Sequence, residues 1–320
     1  LTKLHLDNSI SEPDVARTAI TSASRFLTLP KLEDHQVFLD GPAVVTPDYF
    51  RGLPRLYRLA VGFGPRSVLP ASMFVGSPLV NFLTLMLPNN SVTHSDAMFA
   101  GLTQLRSLNV VGANLSTLSA RMMSPLTSLE DLTFQRPRSS QRAGRGLAPM
   151  SLRGLVVAAP KLRSLALAGL DLGILDSSDL VGPAALDLFV LSESRAALHP
   201  SLLAGQRMLR VVDISSGKYG GLLNVSFDAP TRIERLQLHN NGLTQIPNLA
   251  KANVGTLYLN SNALRSIDES RLPLSSLEEL FLAGNPLACS WWQVWLPAFD
   301  ALHPGVLKDA GHVACTPCAP

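Results

Sequence analysis

Residues 233–243 read IERLQLHNNGL, residues 254–264 read VGTLYLNSNAL, and residues 277–287 read LEELFLAGNPL. All three fit one template, LxxLxLxxNxL, with starts 21 and 23 residues apart. In LQL and LYL the apolar residues alternate with others, so a short strand points the leucines inward and their neighbours outward. Looser copies start at Leu209, Leu186, Leu162, Leu129, Leu105, Phe82, Leu56, Asp34 and Leu1. Most steps are 21 to 26 residues; the two steps of 33, Leu1 to Asp34 and Leu129 to Leu162, hold insertions near 11–33 and 135–150. About twelve copies of one unit predict an α/β solenoid whose stacked strands make a concave parallel sheet, each repeat touching only its neighbours.

Asn241, Asn262, Asn285 and Asn90 sit where the chain is expected to turn away from the strand. Their amides suit the task of satisfying backbone groups at a bend, so we assign them to structure. The returning limb shows apolar residues spaced by three: Phe50-Leu53-Leu56, Phe99-Leu102-Leu105 and Met123-Leu126-Leu129. That spacing predicts helical or 3₁₀ turns laid against the core.

Charge is modest, 27 basic against 24 acidic residues for a net +3, and spread along the chain. This argues against a nucleic-acid or membrane-surface footprint. One stretch is locally basic, QRPRSSQRAGRG at 135–146, with Arg136, Arg138, Arg142 and Arg145; it reads as a mobile loop that grips an acidic partner or as a disordered spacer. No apolar run reaches the roughly 18 to 20 residues of a membrane span, and no signal peptide precedes Leu1. Because Leu1 falls inside a repeat, we expect a processed or excised fragment and leave attachment beyond Pro320 open.

Chemistry-bearing motifs are missing: there is no Gly-x-Ser-x-Gly, no His-Glu-x-x-His and no phosphate-cradling glycine loop before a lysine. The seven histidines scatter through different repeats without metal-ligand spacing. Gly62-Phe63-Gly64 reads as a structural turn. We therefore expect no enzyme, no cofactor and no metal. Cys315-Thr316-Pro317-Cys318 lacks the strand-to-helix context of a redox pair and the four ligands of a zinc site.

The template identifies the chain as resembling the leucine-rich-repeat family over essentially its whole length, which implies a horseshoe. Asn285-Pro286, Cys289 and Trp295-Leu296 also resemble the cysteine-flanked C-terminal cap of extracellular members. The domains are then a solenoid over 1–287 and a cap over 288–320. Trp291 stands where that cap carries a second cysteine, and the family's order of pairing implies a Cys289–Cys315 disulfide. Cys318 is left over, for an interchain bond, a partner beyond Pro320 or a free thiol. A cysteine-bearing cap implies an oxidising, secreted or extracellular setting, and the sequons at Asn89, Asn114 and Asn224 are compatible with glycosylation.

A surface remains as the functional element. The outward positions of the best-defined repeats are Arg210, Asp213, Arg235, Gln237, His239, Tyr258, Asn260, Glu279 and Phe281, an aromatic, arginine and amide strip of protein-binding composition. The competing reading of any one of them is a solvated polar face. Earlier repeats carry smaller residues there, as at Arg163, Ser164, Ala166, Ala168 and Gly169. Irregular repeats and a modified cap most resemble Toll-type receptor ectodomains and the secreted leucine-rich immune proteins of mosquitoes. That resemblance implies innate immune recognition or carriage of an immune effector, with protein partners that include pathogen surfaces and a second leucine-rich-repeat chain bonded through Cys318. A cell-adhesion or neuronal guidance ectodomain shares fold and cap; an intracellular scaffold predicts reduced cysteines and no glycan.

Overall fold

The structure is a computed structural model that describes residues 3–6, 33–39, 50, 53–63, 67–87, 93–112, 118–136, 149–219 and 223–313. It divides into two compact units, Leu1–Ser164 with Val181–Pro183, and Leu165–Leu180 with Ala184–Pro320. Both are built from stacked parallel strands, as the template predicts.

The first unit stacks β1 (Lys3–Leu6), β2 (Asp34–Leu39), β3 (Arg58–Phe63), β5 (Phe82–Leu87), β7 (Ser107–Gly112) and β8 (Asp131–Gln135) in that order. The two-residue β4 (Val68–Leu69) and β6 (Thr93–His94) pair separately, and a single helical turn, α1 (Ala120–Met123), is capped by the Ser119 hydroxyl. Leu59, Leu83, Leu85, Leu108 and Val110 point inward and are almost wholly buried. The returning limb closes through i to i−3 bonds, from Leu56 N to Leu53 O, Leu105 N to Leu102 O and Leu129 N to Leu126 O. Those turns lay a column of rings on the core: Phe50 stacks on Phe74 at 5.5 Å and Phe74 on Phe99 at 6.4 Å. Burying each such ring is worth roughly 2–3 kcal/mol.

Two repeat starts and one turn differ from expectation. Leu83 pairs in register with Leu59 and Leu108, so the fully buried Val80, not Phe82, opens that repeat. Phe82 faces outward, where Tyr57 meets its edge at 5.3 Å and the Arg58 guanidinium lies 4.8 Å from its centroid. Likewise Asp34 pairs with Arg58 and His35 with Leu59, which moves the Asp34 repeat start back by two residues. Strand FLTLML alternates acceptably in either phase, and the buried face decides. Gly62 and Phe63 belong to β3 rather than to a turn. Asn90 and both insertions lie outside the described residues, apart from Glu33 and the ends of the second one.

The second unit stacks β9 (Ser164–Ala168), β11 (Leu188–Ser192), β13 (Val211–Ser215), β14 (Ile233–Gln237), β15 (Val254–Tyr258) and β16 (Glu279–Phe281), with β10 (Asp171–Leu175) and β12 (Arg195–Leu198) paired apart. The asparagines act as expected. Asn262 donates to Leu238 O and Leu259 O and accepts from Asn241 N and Leu243 N. Asn241 and Asn285 repeat the pattern one repeat away on either side. Ser194 takes the same role at the equivalent position: its hydroxyl accepts from Leu170 N and donates toward Leu167 O and Ser192 O.

The predicted cap begins with a 14-residue helix, α2 (Cys289–Leu302). Trp292, Trp295 and Phe299 are its buried face, and Trp291 stacks on Trp295 at 4.9 Å, partly exposed. The chain then adds an edge to β16. Leu280 N donates to Val306 O and Lys308 N to Leu280 O, while the Asp309 carboxylate accepts from Leu282 N and Ala283 N. These bonds remove the open backbone edge that a terminal strand otherwise presents.

Candidate functional site

Parallel register places the outward side chains of β11 to β16 in rows. One row runs Val190, Asp213, Gln237, Tyr258, Phe281 and an adjacent one Leu188, Val211, Arg235, Thr256, Glu279. His239 and Asn260 follow two residues beyond Gln237 and Tyr258, on the same face. The sequence-predicted residues Asp213, Gln237, Tyr258 and Phe281 thus fall on neighbouring strands in a single line.

Tyr258 and Phe281 stack almost parallel, with centroids 4.6 Å apart. Such a pair is worth about 0.5–1.5 kcal/mol beyond its buried area and holds a flat apolar plate outward. At the other end of the row Asp213 is half-buried, and burial raises its carboxyl above the usual carboxylate range, against the lowering effect of the Ser215 hydroxyl and the charge of His239. Its Oδ1 is shielded from solvent and has no hydrogen-bond partner; the same holds for Oδ1 of Asn260. Buried acceptors without donors each cost roughly 1–3 kcal/mol.

The remaining predicted residues are placed differently. Arg210 precedes β13 and is tied to Asp187 by a forked pair of 2.5 and 2.8 Å, with Glu234 at 3.4 Å. Arg235 is exposed and adjacent to the row. Glu279 accepts from the Thr256 hydroxyl at 3.2 Å and lies 3.8 Å from the Lys308 ammonium. Arg232 reaches Glu278 across the intervening repeat at 2.5 Å, a path that the missing side chain of Gly255 leaves open. None of these pairs was legible beforehand, because each partner sits one or two repeats away in sequence.

Cys289 is disulfide-bonded; Cys315 and Cys318, on which the pairing expectations fall, lie outside the described residues. Asn224 is exposed on a loop, whereas Asn89 and Asn114 also lie outside the described residues. Among the described residues no group of three His, Cys, Asp or Glu is placed to hold a metal, and no helix is long and apolar enough to cross a membrane.

Comparison with known proteins gives the class. The chain matches no protein-family model and no curated protein. Its fold resembles Toll in the Toll–Spatzle complex, described as a molecular hub in Drosophila development and innate immunity, at 19% identity and TM-score 0.56 over 91% of this chain and 41% of Toll. It also resembles the leucine-rich-repeat domain of APL1B, at 15% identity and TM-score 0.51 over 92% of this chain and 90% of that one. An internalin, InlF of Listeria monocytogenes, matches at 19% identity and TM-score 0.51 over 84% and 71% of the two chains. The chain has the fold of leucine-rich-repeat proteins. It spans less than half the length of the Toll chains it matches, 41% and 45%.

Proposed function

We propose that this chain is a non-enzymatic, extracellular protein-binding module of innate immunity, which recognises an immune ligand or carries an immune effector through the outward face of β13 to β16. The observation that carries this reading is the row on that face, where a stacked Tyr258–Phe281 plate stands in line with Gln237 and Asp213. Aromatic side chains held on an outward face are enriched in binding surfaces and their hot spots. The Cys289 disulfide and the exposed sequon at Asn224 support an oxidising, secretory setting. The likeness in fold to Toll, from a complex described as a hub of innate immunity, supports the immune role.

Cys289 pairs with Cys315 in this reading, and Cys318 bonds a second chain. Native secreted material run with and without reductant tests the setting: a dimer that collapses on reduction and is lost in Cys318→Ser supports it, and a reduced, unglycosylated monomer rejects it. The face is tested by placing a photo-crosslinking residue at Phe281 or at Val157, an exposed position in the other unit, in extracellular fluid from the source. A crosslinked protein is expected from 281 and not from 157; crosslinks of equal yield from both sink the assignment of the face.

A further inference from the structure

Leu223, Val225 and Phe227 are buried, while Asn224, Ser226 and Asp228 are exposed. Alternation of this kind marks an extended chain, one set of side chains anchored in the core and the other turned outward. Ser226 N donates to Pro200 O at 3.0 Å, which ties the segment beside the chain that leaves β12. The two polar members of the Asn224-Val225-Ser226 sequon therefore share one outward side, with Val225 locked beneath them.

Four asparagines of this unit are exposed: Asn224, Asn240, Asn248 and Asn253. Three of them serve the fold. Asn240 donates to the Ser216 hydroxyl, Asn248 accepts from Ala250 N, and Asn253 donates to Thr231 O. Among the described residues Asn224 makes no side-chain hydrogen bond, and of the four it alone opens an Asn-x-Ser sequence. A group added to its amide nitrogen breaks no bond that the fold uses.

The bond from Ser226 N has the form of the one from His199 N to Leu175 O, so 223–226 extends the flank made by β10 and β12. That flank is separate from the sheet that carries the outward face of β13 to β16. In this register Asn224 is level with His199. Ile174, 72% exposed, lies two strands across and two residues back, about 12 Å away at the backbone.

We propose that Asn224 carries an N-linked oligosaccharide, which covers Ile174 and closes this flank to large molecules while leaving the face of β13 to β16 open. The inference rests on the secretory setting proposed above. The donor is an oligosaccharide on a polyprenyl pyrophosphate. Asn224 Nδ2 loses a proton and bonds the anomeric carbon, the bond from that carbon to the pyrophosphate oxygen breaks, and the lipid pyrophosphate leaves. A glycan is bulky and hydrated, so it excludes proteins from the surface around its root.

The test treats the native secreted chain with peptide N-glycosidase in heavy-oxygen water, which turns a glycosylated asparagine into labelled aspartate. Label is expected at 224 in most chains, absent in Ser226→Ala and retained in Ser226→Thr; an unlabelled Asn224 overturns the proposal. Covering of the flank is read in Ile174→Cys. A maleimide on a long polyethylene glycol should react there at least fivefold faster once the glycan is removed, while iodoacetamide reacts at an unchanged rate. An equal rate for the large reagent before and after removal overturns the closing of the flank. If Asn224 is bare in a chain whose Cys289 is oxidised, the inference falls and the secretory setting stands. If the glycan is present but crosslinks from 281 and 157 have equal yield, the inference stands and the binding face falls.

Discussion

The two units end their strands differently. In the second unit the eighth position of every repeat, counted from its opening apolar residue, is left-handed: Gly169, Glu193, Ser216, Asn240, Ser261 and Gly284. In four of these six repeats the ninth position supplies Ser194, Asn241, Asn262 or Asn285 to bond the backbone of the adjoining repeat; in the other two it is Leu170 or Gly217. In the first unit β3, β5 and β7 run six residues and include the eighth position as strand; Phe63, Leu87 and Gly112 have no positive φ. The ninth residues there are Gly64, Pro88 and Ala113, none with a polar side chain. Where the eighth residue is left-handed the strand stops short of it, and where it is extended it joins the ladder, as in β3, β5 and β7.

The largest effects test what each unit relies on. Phe74 is fully buried between Phe50 and Phe99, so Phe74→Ala should cost about 4 kcal/mol, read as a loss of the earlier unit's transition in urea. Asn262→Ala removes two donated and two accepted bonds in the second unit and should cost about 3 kcal/mol, because the abandoned groups are buried. A cost for Asn262→Ala below that of an exposed-site control would break the comparison, since the turn would then stand without its ninth residue.

Smaller effects probe the eighth position. Glu193 pays for a left-handed backbone with a φ of 52°, and Glu193→Gly should raise stability by about 1 kcal/mol. Gly284→Ala should lower it by a similar amount or more, since a Cβ there meets the Ser261 hydroxyl at 3.1 Å and its nitrogen at 3.3 Å at a φ of 74°. Leu87→Gly, at the matching position of β5 in the first unit, should only destabilise, because that residue is extended and buried. Thermal midpoints of the three variants decide it; a gain from Leu87→Gly would mean that both units turn alike.

Where the ninth residue is an asparagine the sequence could be phased without error, and β14, β15 and β16 lie where the template puts them. In the repeat of β5 the asparagines after the strand, Asn89 and Asn90, come after the true ninth position, and aligning Asn90 to the template moved the start from Val80 to Phe82. The binding row was legible for the same reason as the strands: outward positions of well-phased repeats fall in line. Its electrostatics were not, because the engagement of Arg210 with Asp187 and the burial of Asp213 depend on how adjoining repeats present their side chains. Glu193 and Ser216 gave no sign of left-handed backbone, since neither residue type favours it.

The smallest expected effect lies at Asp213, on the proposed binding face. Burial raises the carboxyl's pKa in the folded chain, so the folded state holds that proton more tightly than the unfolded one. Any such group leaves stability unaffected below the ordinary carboxylate value of about 3.9 and lowers it as pH rises through the folded value. Asp213→Asn should therefore be more stable than the wild type at pH 7, by less than about 1 kcal/mol since solvent still reaches the group, and equal to it near pH 3. Urea midpoints at the two pH values measure the difference. Equal stability of Asp213→Asn and the wild type at both pH values would show that burial does not burden the charge.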